Sequence, residues 1–192
     1  MTGCRLARLL LACGILLICA TAGAQEPRQD RRFGLTVGYP SSSTSAAGGG
    51  LIGLVWQTSD RTAFRPEVSF GARFAGENTT GNSTAAGVTV TVLRYFARRD
   101  AFRAYWGPRF SYSRSTSSGV TSDSTSSAYG VGPSFGLQYE LTRRIGIYGE
   151  VGAVYTYQHA TITYSIPGPL PQSPVTSHAI SSRGGLGLNL YF

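Results

Sequence analysis

The sequence predicts an all-β protein, an eight-stranded antiparallel up-and-down transmembrane β-barrel preceded by a cleaved signal peptide. Three observations lead to this fold class. The chain begins with a short apolar run behind a positively charged start. The remainder alternates apolar and polar residues with a period of two. The connecting segments alternate between long and short, which is typical of barrels that cross a membrane.

The beginning of the chain has the organisation of a secretory signal peptide. Arg5 and Arg8 precede the apolar run Leu9–Ile18, and Ala22-Gly23-Ala24 supplies the small residues of a cleavage site. We therefore predict that residues 1–24 are the signal peptide and residues 25–192 are the barrel domain.

All three cysteines of the chain lie in this first segment, at positions 4, 13 and 19. The barrel domain is therefore predicted to contain neither disulfides nor thiolate metal sites. A lipoprotein signal with lipid on Cys13 or Cys19 is the alternative, but the residues before each cysteine fit that pattern poorly.

Period-two alternation dominates from Phe33 onward. In the first stretch Phe33, Leu35 and Val37 share one face, and small or polar residues occupy the other. Eight such stretches follow one another, each about 9–11 residues long, the length that a tilted strand needs to cross a bilayer. The second stretch, near Gly50–Gln57, is the least regular. The mean hydropathy of −0.03 fits this pattern, because alternating strands average to neutral.

The connections between these stretches differ in length according to the end of the strands that they join. We predict long extracellular loops after the odd strands, at Pro40–Gly49, Ala75–Ala86, Ser115–Ser127 and His159–His178. Short turns follow the even strands, at Thr58–Thr62, Ala97–Ala101 and Thr142–Arg144. Short turns at one end and long loops at the other are typical of outer-membrane barrels, with both termini on the periplasmic side.

Charged residues occur almost entirely on the face opposite to the apolar residues. A lipid-facing arginine at mid-membrane would cost about 2–4 kcal/mol, so this sorting has a physical cause. Arg94 is the exception, and it lies near a short turn where it can reach the interface. The residues predicted to face inward are Gly, Ser, Thr, Gln, Arg and Glu. A soluble ligand-binding barrel has the opposite arrangement, with an apolar interior and a polar exterior. The predicted lumen charges are Arg65, Glu67, Arg73, Arg103, Arg109, Glu140, Glu150 and Arg183.

These lumen charges have two interpretations. They form either a salt-bridged plug that holds the barrel shut or the lining of a gated channel or proton-linked site. The plug is favoured, because the interior of an eight-stranded barrel is just wide enough for side chains to fill.

The end of the chain resembles the C-terminal assembly signal of outer-membrane proteins, with Leu188, Leu190 and Phe192 alternating up to a terminal phenylalanine. Nearly the whole mature chain resembles the small outer-membrane β-barrel superfamily of OmpA- and OmpX-type domains. The resemblance implies the outer membrane of a Gram-negative cell and contact with lipopolysaccharide. It also implies insertion by the barrel-assembly machinery and interaction of the loops with a surface ligand. Some members of the superfamily modify lipids.

Two sequence motifs suggest other functions but occur in the wrong context. Gly48–Gly53 matches a nucleotide-binding G-x-G-x-x-G, but no helix follows it. Gly132–Gly136 matches the G-x-S-x-G of hydrolases around Ser134, but it lies inside a continuous alternating stretch. His159 and His178 do not match the His-x-Ser pair of lipid A deacylases, and we expect both to be solvated loop residues.

The sequence therefore predicts a non-enzymatic outer-membrane barrel with a structural or surface-interaction role through four long loops. A lipid-modifying enzyme of the lipid A deacylase type and a small pore are the alternatives. No catalytic, cofactor-binding or metal-binding residue is predicted. The basic residues are all arginine and are scattered along the chain, so nucleic acid is not an expected partner.

Overall fold

The computed structural model describes residues 33–40, 50–74, 81–119, 122–164 and 174–192. The predicted signal peptide and the Gly48-Gly49 part of the glycine motif lie outside the described residues. Within them the chain forms eight antiparallel strands that close into a barrel in sequence order, with β1 paired to β8. The strands are β1 Phe33–Pro40, β2 Leu51–Ser59, β3 Thr62–Arg73, β4 Gly81–Arg99, β5 Phe102–Gly119, β6 Ser122–Glu140, β7 Ile145–Tyr164 and β8 Pro174–Tyr191.

The alternation of the sequence becomes the two faces of the barrel wall. In β1, Leu35 and Val37 are exposed on the outer face, and Thr36 between them is completely buried in the lumen. Closure is direct, because Leu35 of β1 pairs with Leu190 of β8. A closed sheet satisfies its backbone hydrogen bonds internally, which a hydrocarbon environment requires. The prediction of an eight-stranded antiparallel barrel is confirmed. No helix among the described residues is long and apolar enough to cross a membrane.

The predicted lengths of strands β4 to β8 and of three long loops are wrong. Strands β4 to β8 contain 18 to 20 residues instead of about 9–11. Most of Ser115–Ser127 is a paired hairpin in which Ser117 of β5 faces Ser124 of β6. The Ala75–Ala86 and His159–His178 segments likewise contain strand residues. A Ser/Thr-rich composition is typical of loops, but threonine also favours strands, and cross-strand pairing satisfies the backbone.

At the other end of the barrel the connections are short, as predicted. Asp60-Arg61 and Asp100-Ala101 each join two strands, and residues 141–144 form the third turn. Asp100 has a φ of 53°, a conformation that aspartate tolerates better than most residues. In the third turn, Thr142 Oγ1 accepts hydrogen bonds from the backbone N–H groups of Arg144 and Ile145 at 3.2 and 3.0 Å.

Aromatic side chains form rows across the outer face near both ends of the barrel. Near the turns, the Phe33 and Trp56 rings lie 6.0 Å apart and the Trp56 and Phe64 rings 6.2 Å apart. The end of the barrel opposite the short turns is called the hairpin end. Near it, Tyr112 and Tyr129 lie 5.0 Å apart, and Tyr157 continues that row. Aromatic girdles at both interfaces are characteristic of membrane barrels. The strands of the hairpins continue beyond the second row.

The closure between β1 and β8 leads to a prediction about stability. Replacing Val37 with proline removes a backbone N–H from the strand that closes the barrel, and we expect the compact form to be lost. The wild-type protein should be rich in β-structure and migrate faster on a gel before boiling than after it.

Ser117→Pro is the matched control, because Ser117 also pairs on both sides but lies in the hairpin beyond the aromatic row. It should keep the heat-dependent shift in migration. A compact Val37→Pro variant, or a wild-type protein whose migration does not depend on boiling, would contradict this account of the closed barrel.

Candidate functional site

The inward side chains near the turns form an apolar and tyrosine-rich layer across the lumen. They come from five different strands and are each at most 9% exposed, so the turn end of the lumen is filled. The sequence-based list of inward residues was incomplete, because it contained neither tyrosines nor aliphatic residues. The members of this layer are Val55, Ala63, Leu93, Tyr95, Tyr105 and Tyr191.

Next to this layer lies a network of buried charges, centred on Glu150 of β7. One Glu150 oxygen binds Arg65 of β3 directly, and the other lies 3.2 Å from Arg109 of β5 and 3.2 Å from Arg183 of β8. Glu67, on the same face of β3 as Arg65, lies 3.5 Å from Arg65 and 3.1 Å from Arg109. Two carboxylates therefore hold three guanidinium groups from three different strands.

Hydroxyl groups add hydrogen bonds to the two carboxylates. The Tyr105 hydroxyl donates to Glu150 at 3.1 Å, and the Tyr148 hydroxyl donates to Glu67 at 3.5 Å. Thr36 of β1 in turn donates to the Tyr148 hydroxyl at 3.3 Å. Buried ion pairs offset their desolvation only when their remaining hydrogen-bonding capacity is also used, and these hydroxyls supply part of it.

The guanidinium groups have further partners of their own. Arg109 donates to the Thr91 hydroxyl at 3.2 Å, which brings β4 into the network. The Arg65 guanidinium carbon lies 4.6 Å from the centre of the Tyr148 ring, within the range of a cation–π contact. Arg65 is 1% exposed, so it is one of the most deeply buried side chains of the barrel.

Glycines make room for the tyrosines of the lumen. Tyr105 pairs in register with Gly136, and Tyr148 pairs in register with Gly187. A Cβ atom at either glycine would overlap the ring of its partner, so each ring lies across a glycine of the neighbouring strand. A signal for the tyrosines was present in the sequence, because Tyr105 and Tyr148 have the same parity as Arg109 and Glu150.

The predicted lumen charges do not all join this network. Arg65, Glu67, Arg109, Glu150 and Arg183 meet in it.

Two of the remaining predicted charges, Arg103 and Glu140, form a separate pair at 3.0 Å nearer the turns. Arg73 is exposed near the hairpin end. Its alternation places it on the lumen side of β3, but six residues beyond Glu67 correspond to about 20 Å of strand, too far for the network. Arg94 is exposed on the outer face near a turn.

The histidines are not the solvated loop residues that the sequence suggested. His159 belongs to β7 and His178 to β8, because both ends of the polar segment between them are paired as neighbouring strands. His178 Nδ1 lies 2.6 Å from the Tyr155 hydroxyl on the outer face. Ser134 is completely buried on the lumen side of β6. The wall of the barrel therefore separates Ser134 from both histidines.

On the hairpin side of the network the lumen contains a partly open cavity of about 380 Å³. The cavity exists because inward side chains become small there, as at Ser69, Ser111 and Gly130. Arg109 and Arg183 form its boundary with the charge network. The lumen is thus filled at the turn end and hollow at the hairpin end.

A closed eight-stranded barrel with an apolar outer face, aromatic rows and a charged interior is the architecture of integral outer-membrane proteins. The chain belongs to the outer membrane protein beta-barrel domain family, whose model matches residues 10–187. It is accordingly a protein of the outer membrane, and the resemblance to small barrels of this membrane is confirmed.

Two solved structures show the same fold. The crystal structure of Neisserial surface protein A matches with a TM-score of 0.50 at 17% identity, covering 83% of this chain and 97% of that chain. The crystal structure of a major outer membrane protein from Thermus thermophilus matches with a TM-score of 0.53 at 12% identity, covering 85% of this chain and 100% of that chain. At these identities the likeness concerns the fold alone. No curated protein matches the sequence.

The position of Glu150 predicts a large effect of its removal. Glu150→Gln leaves Arg65 and Arg109 with Glu67 as their one carboxylate and removes the ion pair of Arg183. Breaking a buried ion pair costs about 3–5 kcal/mol, and less where water reaches the site. We expect a loss in the free energy of unfolding of about that size. It can be measured from the fraction of protein that still migrates as the folded band on a gel after incubation at increasing urea concentrations.

Glu140→Gln is the control, because Glu140 contacts Arg103 outside the network and has a more exposed side chain. Its effect should be smaller. Equal stability of Glu150→Gln and the wild type, or a larger loss for Glu140→Gln, would show that the network is not the main electrostatic support of the barrel.

Proposed function

We propose that this protein is a non-enzymatic barrel whose lumen is closed to ions. Its role is structural in the envelope or is an interaction with a surface ligand. Residues 1–24 act as a cleaved signal peptide, and the barrel-assembly machinery recognises Leu188, Leu190 and Phe192 of the final strand. The ends of strands β4 to β8 that lie opposite the short turns face the outside of the cell, and lipopolysaccharide surrounds them. The observation that carries this proposal is that side chains fill the lumen at its turn end.

The side chains of the lumen support a closed barrel over a small pore. The charge network contains residues of β3, β5, β7 and β8, so it extends across the interior. The tyrosine-rich layer lies between the network and the turns. An interior of eight strands is only wide enough for such side chains, and an ion would have to pass both layers.

The placement of nucleophile and base supports a role without catalysis. A serine hydrolase needs its serine within hydrogen-bonding reach of a histidine. Ser134 faces the lumen and His178 faces outward, where its ring nitrogen contacts Tyr155. The lipid A deacylase alternative would need a histidine and a serine together on the outer face. Ser127 of β6 pairs in register with His159 of β7. Among the described residues no hydrogen bond joins their side chains, since His159 contacts the Thr176 hydroxyl at 3.5 Å and His178 contacts Tyr155.

The outer face near the hairpins suits contact with lipopolysaccharide. Arg114 of β5 is exposed and follows Tyr112 of the aromatic row by two residues, so both lie on the outer face. The strand continues from there to Gly119, a further extension of about 15–17 Å if it is fully extended. A guanidinium group at this height is well placed for a phosphate group of the outer leaflet.

Planar-bilayer recordings test the closed lumen. We expect the wild-type protein to give no steady conductance, because both lumen layers are buried and packed. A variant that combines Glu67→Gln with Glu150→Gln removes both carboxylates of the network, and we expect it to show transient openings. Steady conductance of the unmodified protein would overturn the closed barrel and favour the pore.

Thermal unfolding in detergent tests the contact with lipopolysaccharide. Purified lipopolysaccharide should raise the unfolding temperature of the wild type, because a ligand that binds the folded state stabilises it. Arg114→Ala should reduce this rise, whereas Arg94→Ala should not, since Arg94 is an outward arginine at the opposite end. Equal responses of the two variants would argue against a site at the hairpin end.

A further inference from the structure

We propose that the hollow half of the lumen is a binding pocket for a small organic anion, held by Arg109 and Arg183. The cavity of about 380 Å³ falls within the range of small-molecule sites in proteins. The inference rests on the proposed function in one respect, since a closed network gives the pocket its floor.

The charge distribution around the cavity determines the class of ligand. Arg109 and Arg183 are the two charged residues that line it among the described residues, and no carboxylate lines it with them. Both side chains are largely buried, at 9% and 11% exposure, and both are fixed by Glu150 at 3.2 Å. A ligand in the cavity therefore meets two oriented guanidinium groups.

The network itself leaves a positive charge unbalanced. Arg65, Arg109 and Arg183 share the two carboxylates of Glu67 and Glu150, which gives the cluster a net charge of +1. Arg65 and Arg109 each contact both carboxylates, whereas Arg183 contacts Glu150 alone, so the excess charge lies with Arg183 at the edge of the cavity. A guanidinium group without a full counter-charge favours an anionic partner.

The walls of the cavity indicate a ligand with both polar oxygens and a short carbon body. Ser69, Thr89 and Ser111 provide hydroxyl groups that can donate to anion oxygens. Leu51 and Val154 provide apolar surface on the same cavity. A carboxylate or phosphate group can bind two nitrogens of one arginine, and the apolar surface would cover the carbon body.

Succinate, inorganic phosphate and the uncharged succinamide are the probes that test this proposal, by isothermal titration of the folded wild-type protein in detergent. We expect succinate to bind at millimolar concentrations, phosphate to compete with it, and succinamide to give no signal. Absence of binding by both anions, or equal binding of succinamide, would overturn the anion pocket.

Two variants locate the binding. Arg183→Gln removes the excess charge and leaves Glu150 with Arg65 and Arg109, so the barrel should fold and bind succinate about tenfold more weakly or worse. Ala128→Phe fills the cavity from β6 without changing any charge and should abolish binding. Arg114→Gln, on the outer face, should bind like the wild type. Undiminished binding by both Arg183→Gln and Ala128→Phe would show that the anion binds elsewhere.

The same variants separate this pocket from the phosphates of lipopolysaccharide. Stabilisation by lipopolysaccharide should be unchanged in Ala128→Phe, because the lumen is not reached from the outer face. Loss of that stabilisation in Ala128→Phe would assign the anion site to the lipid and overturn the lumen pocket. Bilayer conductance is measured independently, so a conducting protein that still binds succinate through Arg183 would contradict the closed barrel and leave the pocket intact.

Discussion

The carboxylate of Glu150 is the contact on which the interior of this barrel depends. It is 4% exposed and holds Arg65, Arg109 and Arg183, which belong to three other strands. Most apolar residues of an outer-membrane barrel face lipid, and here the apolar layer inside the lumen is confined to the turn end. Beyond that layer, cohesion across the lumen must come from polar contacts, and these are effective only when each charge is paired and hydrogen-bonded. The tyrosine and threonine hydroxyls around Glu150 and Glu67 meet part of that requirement.

The width of the barrel explains why glycine and tyrosine occur together in the lumen. Eight strands leave an interior that side chains can just fill, so a large ring needs a small neighbour. Tyr105 lies across Gly136 and Tyr148 across Gly187, and each hydroxyl then reaches a carboxylate. Packing and charge are therefore coupled. A side chain at Gly136 would displace the Tyr105 ring and with it a hydrogen bond to Glu150.

Alternation made the fold predictable, because a residue on the wrong face would place a charge in lipid. The parity of Arg65, Glu67, Arg109, Glu150 and Arg183 was sufficient to place them inside. It could not tell how far along the axis each one lies, so Arg73 was grouped with residues that it does not meet. The hairpin at Ser115–Ser127 was missed because polarity shows that a segment meets water but does not show whether its backbone is paired. The histidines were misplaced for the same reason.

A change in side-chain size along the lumen gives one interior two different properties. Where tyrosines and arginines project inward the space is filled, and where serine, glycine and alanine project inward it is hollow. The charge network lies at this boundary, so Arg109 and Arg183, which are its arginines nearest the cavity, belong to both regions. Glu150 restrains Arg109 and Arg183 from the filled side while their guanidinium groups border the cavity. The ion pairs that close the barrel thus also fix two cations in place before any anion arrives, which lowers the entropy cost of binding one.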